Sequence, residues 1–283
     1  MELSICANYL KSTGLSDKSV ENIFRLCKEA GFTAIDISPS ADNWQGQVLA
    51  LNSASQRYEI PIEQSHAPFN RYKKLPTDDY KYILDCAFDA AIAMNNKQIV
   101  IHGDDYRPLP GETYNMQKAL ERTYEFWAPY VEKTANQGVL VAIETVFEDN
   151  RSKNAPPDRF TSRLEELATL IDKFDNPYVK CCWDSGHARL AFGDDGIKSA
   201  ITSLGKRIVC THIHDNYYNH DLHLMPFQGT MDWQAHMSAL REIGYNGNLT
   251  FEFAYGHLPG SLVEDFLRTA VKTGNILKQM FNQ

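Results

Sequence analysis

Short apolar runs alternate with longer stretches of helical period from one end of the chain to the other. Runs of this length, rich in Val, Ile, Leu and Phe, read as strands buried on both faces. Eight are predicted, over 3–7, 34–38, 62–66, 98–102, 139–146, 179–183, 208–214 and 248–253. Helical periodicity follows them over 18–30, 43–58, 78–95, 116–137, 162–173, 196–204, 233–243 and 262–281. Several of these stretches end in the glycine that favours a helix C-terminus, as in Lys28-Glu-Ala-Gly31 and Glu242-Ile-Gly244. Strict alternation of strand and helix predicts a parallel sheet, and eight units close most naturally into a single (β/α)8 TIM barrel.

At 283 residues the chain exceeds the common domain size, but α/β barrels reach roughly 250 residues as one unit. One domain over 1–283 is therefore expected. Hydrophobic residues make up 43% and charged residues 23% of the chain, enough apolar material for a large core. No window approaches the ~18 consecutive apolar residues of a membrane span, and the first residues do not read as a secretory leader, so a cytoplasmic protein without membrane contact is expected. The six cysteines (6, 27, 86, 181, 182 and 210) lie in apolar segments without a CxxC pair. They read as buried free thiols rather than disulfides. The net charge of −8 argues against broad contact with nucleic acid.

The polar residues sit where barrel chemistry is expected. His66, His102, Glu144, Asp184, His212 and Glu252 fall at or near the ends of six different predicted strands, and catalytic groups of such barrels gather at the C-terminal mouth. Glu144, Asp184, His212 and Glu252 would form a site of three carboxylates and one histidine. Such a donor set without thiolates suits Mn²⁺ best, with Zn²⁺, Co²⁺ and Mg²⁺ as alternatives, and argues against a structural zinc.

The wording Asp184-Ser-Gly-His187, His212-Ile-His-Asp215, Asp221-Leu-His223 and Glu252 resembles the xylose isomerase-like TIM barrel superfamily. That group includes sugar isomerases and epimerases, inosose-processing enzymes and endonuclease IV type AP endonucleases. The likeness runs from Ser65-His-Ala-Pro-Phe69 to the last strand. It implies a primary metal on Glu144, Asp184, His212 and Glu252, with His214 as the competitor to His212 on the same strand face. His66, His102, His187, His214, Asp221 and His223 are expected to line the substrate site. In the endonuclease branch the counterparts of His66, His102, His187, Asp221 and His223 complete a three-metal site. The loop from Asn216 to Gly229-Thr-Met-Asp-Trp233 resembles the sugar-directed form, and the nuclease wordings Asn-Asp-Ser-Lys and Asp-Thr-Cys-His are replaced here.

The expected chemistry is isomerisation or epimerisation of a keto sugar, sugar phosphate or inosose through an enediolate. A divalent ion polarises the carbonyl, one carboxylate removes the neighbouring proton and a second group returns it. Glu144 and Glu252 are the candidate acid/base pair. His187 is expected either to donate to a substrate oxygen or to orient Asp184. A lyase that expels a β-hydroxyl from the same intermediate is the first alternative. An AP endonuclease and a non-catalytic binding barrel are the others. Trp183 and Trp44 are candidates for a pocket floor, and Arg107, Glu148 and Arg189 for specificity. Tyr218 stands where ketose 3-epimerases of this group carry arginine. The resemblance also allows a homo-oligomer.

Overall fold

The structure is a computed structural model that describes residues 1–70, 76–103, 113–148, 159–217 and 219–283. Its strands are β1 (Leu3–Cys6), β2 (Ala34–Asp36), β3 (Ile62–His66), β4 (Gln98–Ile101), β5 (Leu140–Glu144), β6 (Val179–Asp184), β7 (Ile208–His212) and β8 (Leu249–Phe251). The helices are α1 (Val20–Ala30), α2 (Trp44–Tyr58), α3 (Thr77–Ala93), α4 (Met116–Ala135), α5 (Leu164–Lys173), α6 (Ser185–Phe192), α7 (Ile197–Leu204), α8 (Trp233–Glu242) and α9 (Gly260–Asn282).

All neighbouring strands pair in parallel in the order β7-β6-β5-β4-β3-β2-β1-β8. The ring closes between β8 and the end of β7 through the Ile213–Phe251 bridge. There the Ile213 amide donates to the Thr250 carbonyl at 2.7 Å and the Glu252 amide to the Ile213 carbonyl at 3.2 Å. This is the expected TIM barrel.

Local chemistry explains the element ends. Ser19 accepts from the Asn22 amide to start α1, and Gly31 takes the left-handed conformation (φ 105°) that ends it. Asp232 caps α8 by accepting from the Ala235 amide at 2.9 Å. Helix α6 was absent from the sequence expectation. It follows β6 with no intervening loop, so an eight-residue helix hides behind a strand signal.

Because successive side chains on a strand alternate, one parity points into the barrel. Val100, Ala142, Cys182 and Cys210 form a small buried cluster of their own, while Ile99, Ile101, Val141, Ile143 and Trp183 belong to the larger core that includes the helices. Two residues beyond the small cluster on three of these strands stand His102, Glu144 and Asp184, and His212 follows Cys210. The pairing of Cys182 with Cys210 and of Asp184 with His212 levels them across β6 and β7. The site is thus the inward layer above the apolar plug. All six cysteines are free and buried.

Candidate metal centre and active site

Ligand atoms of Glu144, Asp184, His212 and Glu252 all lie within 4.8 Å of one another, and all four residues are buried. His212 is the hub. Its Nδ1 stands 3.4 Å from Glu144 Oε1, 3.4 Å from Glu252 Oε2 and 3.8 Å from Asp184 Oδ2, yet makes no hydrogen bond. Two carboxylates at such spacing repel by roughly 3–4 kcal/mol at an effective dielectric of about 20. Three of them around one imidazole make a strongly anionic pocket, and the donor set fits a divalent ion.

Cys6 and Asp36 form a further potential ligand set with His212 itself, and two histidine-bearing groups flank this centre. His66 and His102 reach Glu144 Oε2 at 2.9 and 3.2 Å through their Nε2 atoms. These three residues form a compact potential ligand set. On the other side, His187, His214, Asp221 and His223 form a second such set. His187 Nε2 and His223 Nε2 meet Asp221 Oδ2 at 3.2 and 3.4 Å. His187 Nδ1 lies 3.0 Å from Glu144 Oε1, so Glu144 touches all three clusters.

His214 is placed differently from His212. Its Nε2 contacts Asp184 Oδ1 at 2.9 Å, its ring stacks on His223 at 3.9 Å, and Gly186 packs against its other edge. Asp184 has two duties, because Oδ1 also caps α6 by accepting from the His187 amide at 2.6 Å. His187 therefore contacts Asp184, Glu144 and Asp221 at once.

These charges shape one another's titration. Burial would raise the Glu144 carboxyl, but His212 and His102 outweigh it and hold the group well below the usual carboxylate range. Burial likewise opposes ionisation of Asp184, and His187 and His214 reverse that. Burial disfavours a charged His212, whereas Glu252 and Glu144 raise it well above the ordinary histidine value. His223 is pushed up to about 9, Asp221 and Glu252 overcoming its burial.

Beneath the ring of ligands runs a polar brace. The Gln64 amide nitrogen lies 2.7 Å from Asp36 Oδ2 and 2.9 Å from His212 Nε2, and Gln98 donates to Gln64 Oε1 at 3.1 Å. Asp36 Oδ2 is itself 3.7 Å from His212 Nε2. The brace grips the far side of the imidazole and leaves Nδ1 facing the carboxylates. The loop carrying Asp221 and His223 is pinned by Asp215, whose carboxylate accepts from the amides of Asn216, Phe227 and Met231 and from Trp233 Nε1.

A cavity of about 310 Å³ opens onto this layer, with Glu144, Glu252, His66, His102, His187, Asp221 and His223 in its wall. Tyr9, Phe69 and Phe147 supply its aromatic surface and Arg159 a buried guanidinium. Tyr9 Oη donates to Glu252 Oε1 at 3.2 Å. Asp184, His212 and His214 lie deeper, beyond the cavity wall.

Several expectations need correction. Trp183 is fully buried and donates to His236 Nε2 at 2.9 Å, and Trp44 packs against the core; neither floors the cavity. Glu148 binds Ser162 and Arg163, and Arg189 binds Asp194 and Thr230, both away from the cavity wall. Arg107 and Tyr218 lie outside the described residues. Sequence reading missed Tyr9, Asp36, Gln64, Phe69, Phe147 and Arg159. For Asp36 and Gln64 a signal existed, since both are polar residues at inward positions of apolar strands.

Comparison with known proteins agrees with this architecture. The family model described as xylose isomerase-like TIM barrel matches residues 24–270. The protein y4fM of Sinorhizobium fredii is 27% identical over 249 residues, covering 84% of this chain and 72% of its own. Inosose isomerase of Bacillus subtilis is 28% identical over 142 residues, 48% of each chain. Among solved structures, a D-tagatose 3-epimerase-like protein superposes with TM-score 0.76 at 19% identity, over 100% of this chain and 97% of its own. The IOLI protein, solved with a zinc atom, superposes with TM-score 0.74 at 19% identity over 100% of both chains. At these identities the structural likeness speaks for the fold.

Proposed function

The chain belongs to the xylose isomerase-like TIM barrel family, and from that premise we propose a divalent-metal-dependent isomerase or epimerase acting on a keto sugar or inosose. The observation that carries the reading is the buried meeting of Glu144, Asp184, His212 and Glu252 within 4.8 Å, with Glu144 and Glu252 in the cavity wall. These four would hold the ion, Mn²⁺ by donor type, with Zn²⁺, Co²⁺ or Mg²⁺ as substitutes. When bound, it supplies Lewis-acid polarisation of the substrate carbonyl. The names of the inosose isomerase and epimerase relatives support the substrate class.

The chain's own residues supply the proton transfer. Glu144 and Glu252 approach His212 from β5 and from the end of β8 and both reach the cavity. One takes the proton next to the carbonyl and the other returns it to the opposite face or the adjacent carbon. Tyr9, donating to Glu252 Oε1, fixes that carboxylate's rotamer. His187, between Glu144 and Asp221, would donate to a substrate oxygen. Among the described residues no helix is long and apolar enough to cross a membrane, and a cytoplasmic setting suits six buried free thiols.

A second reading is favoured by one observation: the two flanking clusters could hold an ion each. Three ions, one per group, would suit phosphodiester cleavage by the endonuclease branch. Incubating the manganese-loaded protein with ketoses and inososes in D₂O tests the main reading. Washed-in deuterium with reprotonated product is expected. Loss of water from the product would make the enzyme a lyase. Three metals per chain with nicking at abasic sites would replace the sugar reading.

A further inference from the structure

Resting on the sugar-directed reading above, we infer that the natural substrate is a glycosylated ketose whose second sugar ring lies in an outer chamber beside the proton-transfer site. That chamber has a volume of about 430 Å³, beside the 310 Å³ of the inner cavity. Asn8, Ser38 and His66 line both. A ring reacting at Glu144 and Glu252 therefore has the outer space as its immediate neighbour, past Asn8. Each volume falls in the range of small-molecule sites, roughly 300–1,000 Å³.

The two walls differ in chemistry. The inner wall is built from imidazoles and carboxylates, whereas no carboxylate lines the outer chamber among the described residues. The outer surface combines the apolar faces of Pro39, Pro68 and Ile83 with the polar Ser40, Gln47 and Lys11. That mixture matches a pyranose, with its C–H faces and hydroxyl rim. Apart from the shared His66 and from Lys11 it carries no acid or base among the described residues, and His66 is already bound to Glu144 at the inner site, so the chamber is built to bind.

The available hydrogen bonding points to the junction. The side chains of Asn8 and Lys11 have no hydrogen bond or ion pair among the described residues. Both belong to the 3-10 turn Ala7–Ser12 that follows β1. The Asn8 amide offers a donor and an acceptor where the glycosidic link would pass. Gln47, in contrast, is committed to bracing the loop. Its amide binds the Ser40 amide and hydroxyl at 3.1 and 2.8 Å and the Asp42 carbonyl at 2.5 Å. The outer wall is thereby pre-formed, with Lys11 the one lysine or arginine in it among the described residues.

The test compares deuterium wash-in for free ketoses (fructose, tagatose), glycosylated ketoses (lactulose, turanose, isomaltulose) and fructose 6-phosphate. The metal-loaded wild type is set beside Ala41→Trp and Ala87→Trp, which fill the outer chamber from a loop and from α3. The expected result is a kcat/KM at least tenfold higher for a glycosylated ketose than for any free one. Each tryptophan should lower that ratio at least tenfold. A free or phosphorylated ketose handled as well as the best disaccharide would overturn the inference. So would a preference that survives both substitutions. If no ketose exchanges deuterium, the proton-transfer reading fails, and calorimetric binding of the same sugars then decides the chamber. Tighter binding of a disaccharide, lost in both variants, upholds it; equal binding overturns it.

Discussion

The His214 imidazole packs so closely under Gly186 that a β-carbon on the glycine would stand 2.0 Å from its Cε1. Gly186 lies in the first turn of α6, two residues after the Asp184 that caps the helix and meets His214 Nε2 at 2.9 Å. The glycine is what lets a helix start and a histidine share one place. Gly186→Ala should push the ring off Asp184, costing about 1–3 kcal/mol, as overpacking does. Urea unfolding should show that loss, and a metal titration should show weaker binding. An alanine variant with wild-type stability and affinity would contradict this packing argument.

The Asp36–Gln64 brace predicts a separable effect. Asp36→Asn and Gln64→Leu leave all four carboxylate and imidazole donors in place but loosen the grip on His212 Nε2. Metal affinity should fall roughly 10–100-fold, the usual consequence of losing a partner behind a ligand. Circular dichroism should be unchanged. Wild-type affinity in both variants would remove the brace from the account.

For Glu252→Gln, the amide retains the shape and the contact with Tyr9 but cannot accept a proton. Deuterium wash-in should drop about 10²–10⁴-fold with the fold intact. A carboxylate that only shapes the pocket would cost far less.

His236 gives a pH prediction at a residue outside the ligand set. Burial pushes its imidazole down to about 4, against an ordinary 6.5. The unfolded chain thus takes up a proton between pH 6.5 and 4 that the folded chain refuses. This stabilisation is complete above pH 6.5 and is lost as pH falls towards 4, by roughly 3 kcal/mol in all. Gln at 236 keeps an acceptor for Trp183 Nε1 and removes the titration. Across that window its unfolding free energy should fall less steeply with acid than the wild type's. Parallel slopes would show that His236 does not titrate this way.

Much of this was legible in the chain. Ile62–His66 is a strand over its whole expected length, and seven other strands lie within their expected spans or one residue beyond, because parallel strands buried on both faces announce themselves by apolar runs. The barrel topology followed from alternation alone, and six polar strand ends do gather in one layer. Closure was the weaker inference. It rests on the Ile213–Phe251 bridge, which no periodicity reveals.

What escaped the sequence was whatever depends on side chains meeting across the barrel. Asp36 falls in the middle of an expected strand, and its contact with Gln64 arises only when β2 and β3 are laid side by side with their register shift. Asp215 enters the sequence reading only as the last residue of His212-Ile-His-Asp215, yet it anchors the loop bearing Asp221 and His223. Trp183 illustrates the opposite error. Beside Asp184 in sequence, it points the other way, because adjacent strand residues face opposite sides.

Anomalous diffraction from crystals grown with Mn²⁺, recorded at the manganese edge, tests the central claim most directly. A peak within ligand distance of Glu144, Asp184, His212 and Glu252 is the predicted result. Full occupancy by manganese elsewhere, with no peak among those four side chains, would contradict it.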